Sequence, residues 1–125
     1  MANPKSKTQK KLDHAITLAL TEVCESLLKQ VLGFQWLTHQ ADYARFPGSL
    51  MVTCVFDTEA HRQAQADSAA MRSLIQAALL KIGVTLPAVV KQVVFDSEEA
   101  CTQQCEGDWQ RRLAWQILKP AARFH

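Results

Sequence analysis

The sequence predicts a small α+β domain: a three-stranded mixed sheet packed with helices, in the order α-β-β-α-β-α. Three observations carry this. A long apolar stripe of helical period fills the first third of the chain. Two runs, "SLMVTCVF" and "KQVVF", are apolar and β-branched, as buried strands are. Both runs end in the same way, "VFDTE" at residues 55–59 and "VFDSE" at 94–98, where a strand hands over to a helix.

The first helix is expected from Thr8 to Val31, because Leu12, Ile16, Leu20, Val23, Leu27 and Val31 recur at steps of three and four. Gly33 closes it. The aromatic and β-branched "FQWLTHQADYA" predicts a strand from Phe34 to Ala44, and "FPGS" a turn. The second strand, Leu50 to Phe56, is apolar on both faces and so is expected to be covered on both. The period then turns helical from Thr58 to Ile82, with a polar gap at Asp67 and Gly83 as its end. A third strand is expected from Val90 to Phe95, then a short helix from Asp96 towards Cys105. Gly107 stops that helix, and Asp108 caps a last one that ends at Pro120.

Charge divides the chain into three parts. Residues 1–11 carry +4, residues 109–125 carry +4, and the stretch between carries −6. This reads as a flexible basic arm (1–11), a single domain (12–118) and a basic tail (119–125). Basic ends neutralise phosphates, so nucleic acid is an admissible partner, through Lys10 and Lys11 at one end and Arg111 and Arg112 at the other. The acidic body opposes such an approach. No apolar run approaches the ~20 residues that span a bilayer, and no export signal is evident, so a cytoplasmic chain without a membrane partner is expected.

Chemistry-bearing motifs are few. The two "VFD" corners place Asp57, Glu59, Asp96 and Glu99 at strand ends. If the two strands are parallel neighbours, the carboxylates gather at one sheet edge, where a divalent cation or an acid–base pair is conceivable. The plainer reading makes Asp57 and Asp96 helix N-caps, a job the neighbouring Thr58 and Ser97 can share, and the glutamates complements to the helix dipole. Cys101 and Cys105 share a helix face, but no C-x-x-C and no nearby histidine completes a zinc site. His39 beside Asp42 and Tyr43 is a candidate base, more simply a packed strand histidine. No nucleophile elbow and no phosphate-cradling glycine loop occurs. No cofactor is expected.

The last helix mixes Trp109 and Trp115 with Arg111 and Arg112, a composition found at partner surfaces. Trp109 is expected to anchor the helix. Trp115, six residues on, points elsewhere and is a candidate contact.

The stretches "LTEVCE", "LGFQWLTH", "ADYARFPGSL", "CVFDT", "VVFDSEEAC" and "GDWQRRLA" resemble a family of small uncharacterised bacterial proteins, across most of residues 12–114. Some members carry the label of Fis-family transcriptional regulators. The resemblance implies a helix-turn-helix with its turn at Gly107 and Arg111 and Arg112 on the recognition helix. Such a turn asks for a small residue four positions earlier, where this sequence has Gln103. The residues themselves favour a non-enzymatic binding or adaptor protein that meets a protein partner, or itself, through an exposed sheet edge. A nucleic-acid-associated regulator is the alternative, and a metal-dependent enzyme with an acidic edge is the third reading.

Overall fold

The computed structural model describes residues 7–66 and 68–114. Helix α1 (Lys7–Gln30) leads into strand β1 (Phe34–Gln40), a 3-10 turn (Tyr43–Arg45) and strand β2 (Met51–Phe56). Helices α2 (Glu59–Ala64), α3 (Ala69–Leu80) and α4 (Val89–Gln92) precede strand β3 (Val93–Ser97), and α5 (Glu98–Cys105) follows it. A further helix, α6, covers 109–114. The fold is α+β with a three-stranded mixed sheet, as the sequence predicts. The strand order is β1-β2-β3, with β1 antiparallel and β3 parallel to the central β2.

One face of the sheet carries the main core. Val52, Cys54, Phe56 and Val93 pack under Ile16, Leu20, Val23 and Leu27 of α1 and under Met71, Ile75 and Leu79 of α3. Phe56 stands edge-on to both Phe34 and Phe95, at 6.0 and 6.1 Å between ring centres. Val55 and Thr53, on the other face, are also buried. Strand β2 is therefore covered on both sides, as its doubly apolar sequence suggests.

Four boundaries differ from expectation, each for a local reason. Strand β1 stops at Gln40, because Asp42 accepts from the Ala44 amide and turns the chain. The 58–82 segment forms two helices. Ser68 starts the second by accepting from the Met71 amide, and the sequence had shown only the polar gap. Residues 89–92 are a helical turn rather than strand. The buried Gln92 side chain accepts from the Ala88 amide and donates to the Pro47 and Leu50 carbonyls, which fixes that turn against the loop before β2. Finally, α1 begins at Lys7, so Lys7, Lys10 and Lys11 belong to its first turns rather than to a flexible arm. Residues 1–6 and the expected basic tail lie outside the described residues.

Candidate functional site

The two "VFD" corners do meet at one sheet edge, but not as a shared acidic site. Strands β2 and β3 are parallel neighbours with Val55 opposite Asp96 and Phe56 opposite Ser97. Asp57 therefore lies two residues beyond the level of Asp96, roughly 7 Å along the strands. Neither aspartate is the helix cap that its sequence position suggested. Thr58 and Ser97 are the N-caps, each accepting from the amide three residues on, His61 and Ala100. Asp96 lies within β3 and Asp57 at the bend just after β2, each one residue before its cap, which leaves the carboxylate for another partner.

Those partners differ. Asp57 takes the Nδ1 of His61 at 2.7 Å, and that hydrogen bond holds its carboxyl below the ordinary range. His61 in turn packs onto Gly33, where an added Cβ would come within 2.5 Å of the imidazole. Asp96 is buried and grips the Arg112 guanidinium with both oxygens, at 2.6 and 2.8 Å. That pairing raises the Arg112 pKa further above its ordinary value. Glu59 forms a two-point bond with Arg62 and accepts from Ser97 Oγ, so its carboxyl is also held low. Glu99 accepts from the Glu59 amide at 2.7 Å, and its own amide donates to the Asp57 carbonyl at 3.1 Å. Every acid proposed for a metal thus has a committed partner. Among the described residues no group of three or more His, Cys, Asp or Glu is placed to hold a metal ion. Cys101 is buried, which raises its thiol pKa, and Cys105 Sγ accepts from Arg112 at 3.7 Å.

The same bonds change the reading of the last helix. The indole N–H groups of Trp109 and Trp36 both donate to Glu98, at 2.6 and 2.8 Å, with the rings edge-to-face at 4.8 Å. Trp109 anchors α6, as expected. Arg112 is 7 % exposed and spent on Asp96 and Gln104, so it is corrected from a surface contact to an internal tie between α6 and β3. Arg111 faces solvent. Trp115 lies outside the described residues. Lys10 and Lys11 are exposed on α1.

The open chemistry lies on the opposite side of the sheet, where α1 meets β1. Asp13 accepts from the Tyr43 hydroxyl at 2.6 Å and pairs with His39 Nε2 at 2.9 Å. Burial and the Asp13 carboxylate raise the Tyr43 pKa, so its hydroxyl stays protonated. From this cluster a groove of 310 Å³ runs between helix and strand, lined by Thr17, Leu20, Thr21, Cys24, Glu25, Leu37, Thr38 and His39. Cys24 stands about three turns along α1 from Asp13, roughly 16 Å, so these groups do not form a nucleophile–base–acid triad. Leu20 and Leu37 give the groove its apolar part, and Thr17, Thr21 and Glu25 are its exposed α1 residues.

Beside this groove runs the outer edge of β1. The strand pairs with β2 alone, and among the described residues the one backbone hydrogen bond shown for it outside that pairing is from the Phe34 amide to the Val31 carbonyl, at 3.3 Å. The outer edge of β3 is treated differently: Arg72 donates to the Val93 carbonyl at 3.2 Å and lies over the Phe95 ring. One edge is blunted by an arginine. The other keeps its free backbone groups, apart from an irregularity in pairing between Phe34 and Trp36. The groove was not foreseen. Its signal was the pair Thr17 and Thr21 on the flank of the apolar stripe, beside Leu20. The comparisons name no relative: the chain matches no family model, no curated protein and no solved structure.

Proposed function

We propose that this protein is a non-enzymatic binding module that meets another polypeptide along the outer edge of β1 and the adjoining face of α1. The observation that carries this is the unpaired edge of Phe34–Gln40 lying next to an apolar-floored groove. An added strand would satisfy the free amides and carbonyls, and its side chains would enter the groove. Strand β1 carries no Asp, Glu, Lys or Arg, which lowers the desolvation cost of covering it. The acidic corner, by contrast, is engaged in holding β2, β3, α2 and α6 together, which argues against an enzyme built there.

Photo-crosslinking tests the assignment. A photoreactive residue is placed singly at Thr21 or Gln35, beside the edge, and at Gln110 or Arg111 on α6. Crosslinks to another chain from Thr21 and Gln35 alone support the reading. Crosslinks from α6 with none from the β1 side overturn it.

A nucleic-acid-associated regulator, the role implied by the Fis-labelled resemblance, is the second reading. Its support is the exposed run Lys7, Lys10 and Lys11 at the start of α1 together with Arg111. It has lost Arg112 to Asp96. Retention on DNA that falls steeply with salt and disappears with Lys10→Ala and Lys11→Ala would favour it over the strand-edge reading.

A further inference from the structure

We infer that the chain which occupies this edge is a second copy of the same protein, docked about a two-fold axis so that β1 pairs antiparallel with its counterpart; this rests on the β1 edge being the contact surface. The two sheets then join as one of six strands, in the order β3-β2-β1-β1-β2-β3, with the two α1 helices side by side.

The pattern on α1 is what selects this occupant. At 100° per residue, Lys10, Thr17, Thr21 and Leu28 fall within about 40° of one another, on the side that flanks the groove. This stripe is symmetric in its spacing about the centre. It has two small hydroxyl residues at its centre and one long side chain at an equal distance on either side. Antiparallel pairing about the level of Ala19 sets Thr17 against Thr21 of the other copy, where short side chains let the helices approach. It also sets Lys10 against Leu28 of the other copy, one turn from that copy's Glu25. The alkyl stem of Lys10 then covers the exposed leucine, and its ammonium reaches the carboxylate. An isologous interface demands this self-complementarity, because each patch must fit its own copy.

Charge agrees. The first turns of α1 carry Lys7, Lys10, Lys11 and His14, all exposed, while Asp13 is turned inward to Tyr43 and His39. The second half carries exposed Glu22 and Glu25, with Lys29 beyond them. Antiparallel helices bring the basic end of each to the acidic half of the other. Parallel helices would set lysine against lysine. The strand shares the axis: the groove places Thr17, Leu20 and Thr21 beside Leu37, Thr38 and His39, so the middle of the stripe and the middle of β1 stand at one level. A single two-fold rotation therefore serves both layers.

Sedimentation equilibrium of the full chain tests this, with Lys10→Glu, Glu25→Lys and the double variant alongside. Both changes are at exposed sites outside the core, and circular dichroism checks that the fold is kept in all three variants. The expected result is a dimer that each single reversal weakens about tenfold or more, with most of that loss recovered in the double variant. A chain that stays monomeric up to several hundred micromolar overturns the inference, as does a dimer indifferent to the single reversals. A monomer whose Thr21 and Gln35 still crosslink to some other protein leaves the strand-edge reading standing and removes only the second copy as its occupant.

Discussion

Asp57 and Asp96 occupy twin positions in the sequence and do different work. Each sits one residue before a hydroxyl N-cap, and each accepts the amide of that next residue, at 2.7 and 2.8 Å. Beyond that, burial separates them. Asp57 is half-exposed and orients His61, while Asp96 is enclosed and holds Arg112, whose side chain is equally enclosed. Removing one member of a buried ion pair strands the other charge, at a cost of about 3–5 kcal/mol. Arg112→Ala should therefore lower unfolding stability by about that much, read from the urea midpoint, while Arg111→Ala stays within about 0.5 kcal/mol. Replacing both partners, Asp96→Leu with Arg112→Met, should recover most of the loss. If Arg112→Ala proves as mild as Arg111→Ala, Arg112 is a surface residue after all.

At the level of elements, Glu59 is the link between α2 and the end of β3. It holds Arg62 on its own helix and Ser97 on the strand, while its amide takes Glu99 of α5. Because these bonds lower its folded-state pKa, the unfolded chain binds the Glu59 proton more tightly than the folded one. The stabilisation is fully present above the unfolded value of about 4.3 and is lost as pH falls through the lower folded value. Urea titrations of the natural chain and Glu59→Gln should thus show a stability gap that is steady above about pH 5 and closes at the acid end. A gap independent of pH would mean that the carboxylate's charge plays no part. The elements themselves were largely legible, because apolar period and turn residues are local signals. The long α1 stripe, the covered β2 and the helix stops at Gly33 and Gly107 all follow from them. What the sequence hid was settled by distant partners. Gln92 turns residues 89–92 into a helix by reaching Pro47 and Leu50, more than forty positions back. Arg112 looked like a solvated charge because nothing nearby in sequence shows that α6 folds over Asp96. The shift of a cap from aspartate to the neighbouring hydroxyl depends on how long each strand stays extended, which composition does not encode.

For the molecule as a whole, the contrast between the two sheet edges decides where it meets another chain. Arg72 bonds the Val93 carbonyl on the β3 side, whereas the β1 edge beyond Phe34 keeps backbone groups with no partner shown among the described residues. The self-complementary stripe on α1 then makes a second copy the natural occupant. Amide hydrogen exchange of the full chain, followed from micromolar to near-millimolar concentration, tests this most directly. In the two-fold pairing, the alternate β1 amides that face away from β2 slow by at least about tenfold as concentration rises, while those of β3 do not change. Exchange of the β1 amides that is the same at every concentration, or slowing confined to α6, would contradict it.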